Sequence, residues 1–85
     1  IYPNPFNPST QIVFNSEAQG DYITQIFNIK GQKVYEMLNK NLEPGKHSLI
    51  WNAKDNYGNK VSSGIYVMKI SNTHISKQRK LVLMK

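Results

Sequence analysis

Short runs of alternating polar and apolar residues, each closed by turn formers, recur along this chain at roughly 8–12 residue intervals, and no stretch carries the three-and-four spacing of a helix face. A chain patterned this way must pair its segments with one another, because a strand finds no hydrogen-bond partners within itself. Gln11 to Asn15 reads as the first strand, with Ile12 and Phe14 on one face and Gln11, Val13 and Asn15 on the other. Tyr22 to Ile29 follows. Its Tyr22, Thr24 and Ile26 share one face, yet Ile23, Phe27 and Ile29 are apolar on the other, and a bulge near Phe27 and Asn28 resolves the conflict by shifting the phase. Lys30-Gly31 reads as a tight turn that leads into a strand from Lys33 to Leu38 carrying Val34, Tyr35 and Met37.

Pro44-Gly45 is the signal of a type II turn. Beyond it, Lys46 to Asn52 sets His47, Leu49 and Trp51 on one face and Ser48 and Ile50 on the other. Ala53 to Lys60 is rich in turn formers, with Asp55 and Asn56 placed to bond nearby backbone amides. Ile65 to Ser71 then presents Tyr66, Met68 and Ile70 on one face, Asn72-Thr73 turns the chain, and Ile75 to Met84 returns as the last strand. Six or seven such strands without a helix predict an all-β sandwich or barrel. The core is expected from Ile12, Phe14, Ile26, Val34, Leu49, Trp51, Met68 and Ile70.

Three of the four prolines fall at Pro3, Pro5 and Pro8. They fix φ and delete backbone donors, which excludes both a helix and a central strand. Residues 1–9 therefore read as a stiff lead-in or linker, and residues 10–85 as one domain, which at this size buries only about 60% of its unfolded surface. The chain has no cysteine to staple that small core, no run long enough for a membrane span, no signal-peptide pattern and no initial methionine. The expectation is a piece of a longer precursor.

Charge excludes some functions and chemistry excludes others. The net charge of +6 comes from ten lysines and Arg79 against Glu17, Asp21, Glu36, Glu43 and Asp55. Scattered lysines with one arginine lack the clustered, bidentate-capable patch of a nucleic-acid binder, and the Lys77, Arg79, Lys80, Lys85 group reads as a solvated edge strand. Five carboxylates on five separate segments give no acid–base pair, so neither enzyme activity nor a small-molecule substrate is expected. His47 on an apolar strand face reads as a core residue, and with His74 it does not make a zinc site. The oxygens of Asn52, Asp55, Asn56 and Asn59 raise calcium, but a single carboxylate is a poor calcium loop, and no cofactor is expected. Tyr2, Tyr35 and Tyr57 are the residues a carbohydrate-stacking face would use.

Seven blocks occur in order: Tyr2-Pro3-Asn4-Pro5-Phe6-Asn7-Pro8-Ser9-Thr10, Ile26 to Val34, Pro44-Gly45-Lys46-His47, Trp51-Asn52, Asp55-Asn56-Tyr57-Gly58, Ser63-Gly64-Ile65-Tyr66 and Lys80 to Lys85. Across essentially its full length the chain resembles the C-terminal sorting domains (type A) of the type IX secretion system, relatives of the immunoglobulin-like domain of flagellar hook-capping proteins. That resemblance implies an immunoglobulin-like or fibronectin-III-like antiparallel sandwich of about seven short strands. It implies a sorting label that directs an attached cargo across the outer membrane of a Gram-negative, Bacteroidota-type bacterium, by way of the periplasm, to the surface or the medium. The implied partners are the outer-membrane machinery with its shuttle and peptidase components and a covalently linked upstream cargo, with cleavage of the label or surface attachment of the cargo.

By the same similarity Lys80, Leu81 and Val82, with Leu83, Met84 and Lys85, match the terminal sorting motif, and Gly64 and Tyr66 match a preceding glycine-x-tyrosine. Tyr2, Pro3, Asn4, Pro5 and Phe6 would mark the junction with the cargo. The chain departs from the usual pattern at Thr24, where an apolar residue is common, at Asn28 and Asn52, where aspartate is frequent, and at Lys30 in the turn. A structural immunoglobulin-like module and a carbohydrate-binding module are the alternative readings.

Overall fold

A computed structural model of the chain describes residues 10–73 and 75–84, which form β1 (Thr10–Ser16), β2 (Gly20–Phe27), β3 (Lys33–Leu42), β4 (Gly45–Trp51), β5 (Gly64–Ser71) and β6 (Ser76–Leu83). They build two antiparallel sheets: β1 pairs with β4, and a four-stranded sheet runs β3-β2-β5-β6. Alternation decides which side of each strand enters the core. Ile12, Tyr22, Ile26, Trp51, Tyr66, Met68, Ile70, Leu81 and Leu83 are buried between the sheets with Ala53 and Val61, and Phe14, Val34 and Leu49 pack half-buried at the margin. A fully buried aliphatic such as Ile26 contributes about 1.5–3 kcal/mol through removal from water.

The phase conflict in β2 resolves by a register shift between Ile26 and Phe27 against β3, and a second shift lies between Gly20 and Tyr22. The strand ends at Phe27, two residues before the sequence pattern does. Asn28 starts the turn instead: its Oδ1 accepts from the N–H groups of Lys30 and Gln32, both at 3.0 Å, while Gly31 N–H donates to the Asn28 carbonyl. Gly31 takes φ of 82°, open to glycine without steric cost. Ile23 and Ile29 are therefore left in solvent. β3 in turn continues to Leu42, beyond the expected Leu38, because β2 offers partners as far as Gly20 opposite Leu42 and Asp21 Oδ1 accepts the Asn41 N–H at 2.9 Å.

Six strands stand among the described residues where about seven were expected. The stretch between β4 and β5 forms no long strand because it closes on itself. Asp55 N–H donates to Asn59 O, Gly58 N–H to Asp55 O and Val61 N–H to Ala53 O, leaving a single bridge between Lys54 and Lys60. Trp51 Nε1–H donates to the Lys54 carbonyl at 3.0 Å, which ties that loop to the core.

Ring contacts show how the sheets overlap. Trp51 of β4 lies 6.5 Å from Tyr35 of β3, and Phe14 of β1 lies 6.2 Å from Tyr22 of β2. With Trp51 also 5.4 Å from Tyr66 of β5, the small sheet lies over β3, β2 and β5 of the large one. Two strands are narrower than four by about 10 Å, so the inner face of β6 is covered only in part. Leu81 and Leu83 are buried, whereas Ser76 to Lys80 are exposed.

Candidate functional site

The residues matching the sorting motif converge on the β5–β6 hairpin. Its turn is set by Asn72, whose N–H donates to the Ile75 carbonyl at 2.9 Å while its side-chain Oδ1 accepts the Ile75 N–H at 2.7 Å. From there the ladder runs without a break, from Ser71 opposite Ser76 to Gly64 opposite Leu83. Hydrogen-bonded and open pairs alternate in an antiparallel ladder, so the bonded pair at Asn72 and Ile75 leaves Gln78, Lys80 and Val82 with backbone groups facing away from β5. Among the described residues, no other strand pairs with that edge.

Register divides the motif residues by parity. Gly64 faces Leu83 and Tyr66 faces Leu81, on the core side. Ile65 faces Val82 and Val67 faces Lys80, on the outer side. Leu81 and Leu83 therefore complete the core, while Val82 is 57% exposed, Met84 79% exposed and Lys80 exposed. From Lys80 onward the strand serves the fold with its odd positions and presents its even ones. Outer Val82 continues into Ile65 and Val67, and Val67 pairs with half-buried Phe27 of β2. The sequence holds the signal for that outer row, since Ile65 and Val67 alternate with the core residues Tyr66 and Met68, but the sequence reading used only the inner set.

Gly64 and Tyr66 hold the hairpin rather than face solvent with functional groups. Gly64 opens β5 at φ of 155°, and a Cβ there would meet nothing within 4 Å, so the backbone and not crowding demands glycine. Tyr66 is buried edge-on against Trp51, with centroids 5.4 Å apart, and its hydroxyl donates to the Ser62 carbonyl at 2.6 Å. Such a bond lets a tyrosine enter a core without an unpaired hydroxyl. Lys85, His74 and the junction residues Tyr2 to Phe6 lie outside the described residues.

The opposite edge of the same sheet is treated differently. Asn56 reaches across to β3 and binds both backbone groups of Glu36: the Glu36 N–H donates to Asn56 Oδ1 at 2.8 Å, and Asn56 Nδ2 donates to the Glu36 carbonyl at 2.9 Å. The side-chain amide occupies the place of a neighbouring peptide. Sequence reasoning assigned Asn56 to local capping together with Asp55; Asp55 alone does that, its Oδ1 accepting from Tyr57 N–H and Asn59 N–H. The two local donors are thereby used up, and Asn56 is free to look outward. A contact across 20 positions leaves no local signal in the sequence. On the outer face Glu36 also accepts from Lys33 Nζ at 2.8 Å and Gln25 Nε2 at 2.9 Å, and these hydrogen bonds, with the nearby ammonium charge, hold its carboxyl below the ordinary range.

The remaining sites considered from sequence fall apart in space or are occupied. Of the oxygens considered for calcium in the 52–59 loop, Asp55 Oδ1 accepts from two amides and Asn56 Oδ1 is bound to β3. No group of three or more metal-ligating side chains exists among the described residues. His47 packs 5.6 Å from Phe14 and donates a ring N–H to the Glu43 carbonyl. Tyr35 is half-buried beside Trp51, and Tyr57 is 90% exposed.

Two face-to-face antiparallel sheets, with an edge hairpin that shares its residues between core and surface, define an immunoglobulin-like β-sandwich module. The family of the secretion system C-terminal sorting domain matches residues 1–84, and the chain belongs to that family. Its role accordingly lies in export, to the cell surface or the medium, in contact with secretion machinery, and the family is not an enzymatic one. FlgD of P. aeruginosa has a similar fold, with TM-score 0.69 and 19% identity over 89% of this chain and 61% of that one. FlgD of Xanthomonas campestris, described as a hook-capping protein essential for flagellar assembly, gives TM-score 0.64 and 22% identity over 87% of this chain and 54% of that one. The match spans less than two thirds of either FlgD chain, and at these identities it concerns the fold alone. No curated protein matches the sequence.

Proposed function

We propose that the chain is the sorting label of a type IX secretion substrate, and that the outer-membrane machinery reads it from the outward row of β6. In this reading residues 10–85 form the label, and Tyr2 to Phe6 mark the seam with an upstream cargo, where a peptidase cuts or attachment to the surface follows. The observation that carries it is the parity of the last strand. Lys80, Val82 and Met84 are presented on an edge that, among the described residues, is paired on one side only, while Leu81 and Leu83 anchor the strand. An exposed edge with free backbone groups and an apolar outer row can be captured by strand addition without unfolding the domain.

The test is export of a periplasm-targeted fluorescent protein carrying the 85-residue chain, in a host with this secretion system. The expected result is fluorescence at the surface and in the medium for the wild-type label, and retention in the periplasm for a Lys80→Ala, Val82→Ala, Met84→Ala variant whose circular dichroism is unchanged. Equal export of both would refute the outward row as the recognition surface. Periplasmic retention of both would refute the sorting function itself.

A further inference from the structure

β6 has a second, inward-facing surface that the sorting reading does not use. Where the small sheet stops short, a shallow groove opens between β1 and β6. Phe14, Tyr22, Met68 and Ile70 give it an apolar floor, and Lys77 and Arg79 stand at its rim. These two cations share the core-facing parity of Leu81 and Leu83, since Ile70 pairs with Lys77 and Met68 with Arg79. Yet they are exposed, none of the five carboxylates lines the groove, and the one ion pair among the described residues is Lys33–Glu36. Among the described residues, β1 is also unpaired on the side away from β4.

We propose that this groove is a docking site for an extended segment of a partner protein that carries carboxylates beside apolar side chains. The segment adds to the free edge of β1 as the third strand of the small sheet. Its inward apolar side chain rests on Phe14 and Ile70, and its inward carboxylates meet Lys77 and Arg79. Charge selects this occupant. A second copy of the chain brings its own net charge of +6, and a β6–β6 pairing sets Lys77 and Arg79 against cations of the copy. Inward-pointing charges on an edge strand oppose such self-pairing. An acidic strand turns the same charges into attraction and buries the apolar floor they guard. The site lies on the face of β6 opposite Lys80 and Val82 and does not depend on the sorting reading.

The experiment uses the 85-residue chain and three labelled, capped peptides. The first is Thr-Leu-Thr-Glu-Thr-Glu-Thr, whose carboxylates stand two residues apart like Lys77 and Arg79; the others carry Gln or Lys in place of both Glu. Fluorescence anisotropy at low salt is expected to give a Kd for the acidic peptide about tenfold or more below that of the Gln peptide. The Lys peptide is expected not to bind. A Lys77→Glu, Arg79→Glu variant, checked by circular dichroism, reverses the order and prefers the Lys peptide. Equal affinity for the Glu and Gln peptides, an unreversed preference in the double variant, absence of binding, or protection of the groove by self-association in sedimentation would each overturn the proposal. Export of the fusion described above is a separate readout, so either result can fail alone.

Discussion

The two edges of the four-stranded sheet are built from the same kind of material and treated in opposite ways. β3 is the longer, and the outward backbone groups at its Glu36 are clasped by the amide of Asn56. β6 ends the sheet with no such clasp among the described residues, and with Lys77, Arg79 and Lys80 along it. Both strands carry three charged residues, of mixed sign on β3 (Lys33, Glu36, Lys40) but all cations on β6, and like charges along an open edge keep other copies of it away. The difference indicates which edge the domain keeps accessible: the one that Leu81 and Leu83 bind to the core and whose Lys80 and Val82 continue the outer row of Ile65 and Val67.

The largest expected effect tests that parity. Leu81→Ala removes a buried side chain opposite Tyr66 and should destabilise the domain by about 2–5 kcal/mol, lowering the urea midpoint accordingly. Val82→Ala, one position on, should stay within about 0.5 kcal/mol of wild type. Similar losses at both positions would mean that β6 does not divide its residues between core and surface.

Opening the closed edge comes next. Asn56→Ala deletes two hydrogen bonds to Glu36 that are exposed to water, a cost of about 1–2 kcal/mol, and leaves the β3 backbone at Glu36 available to other chains. Sedimentation velocity should then show concentration-dependent association that the wild-type chain lacks. If the variant stays monomeric, the clasp is not what guards β3.

A smaller effect belongs to the strand between the two edges. Thr24 pairs with Met37 toward β3 and with Ile70 toward β5, is 2% exposed, and its hydroxyl has no hydrogen-bond partner. Thr24→Val keeps the shape and removes the stranded polar group, so stability should rise by about 1 kcal/mol, or roughly 4–8 °C in Tm for a domain of this size. Because the change lies on the inner face of β2, neither edge should alter its association behaviour. A fall in Tm would show that the hydroxyl is satisfied.

Period-two alternation made β1, β4 and β5 legible within one or two residues, and with them the faces that bury Ile12, Trp51 and Met68. It also placed a bulge near Phe27 and Asn28, one residue beyond the shift observed between Ile26 and Phe27. Where both parities are apolar, pattern alone fails: Ile29 is exposed because Asn28 takes the turn, a matter of side-chain hydrogen bonding that periodicity does not carry. The division of Leu81 from Val82 follows from strand alternation, but which parity enters the core depends on pairing with β5. The Asn56 clasp and the groove beside Lys77 arise from segments brought together by the fold, and no local residue pattern announces either.

The faintest expected difference between the edges is in their response to acid. Glu36 on β3 has its carboxyl held below the reference value of 4.5 chiefly by the hydrogen bond from Lys33, then by that from Gln25. A carboxyl depressed in the folded state adds stability that is present above its unfolded pKa and is lost as pH falls through the lower folded value. Comparing urea midpoints of wild type and Glu36→Gln, wild type should lead near neutrality, and the gap should close as pH falls below about 4. The group is fully exposed, so the gap is small and should narrow at high salt, where the Lys33 charge is screened. Lys77 on β6 has no carboxylate partner among the described residues, so Lys77→Gln should track wild type through the same acid range. A pH-dependent gap for Lys77→Gln as large as that for Glu36→Gln would mean that β6 is paired to an acid after all, and the contrast between the closed and the open edge would fail.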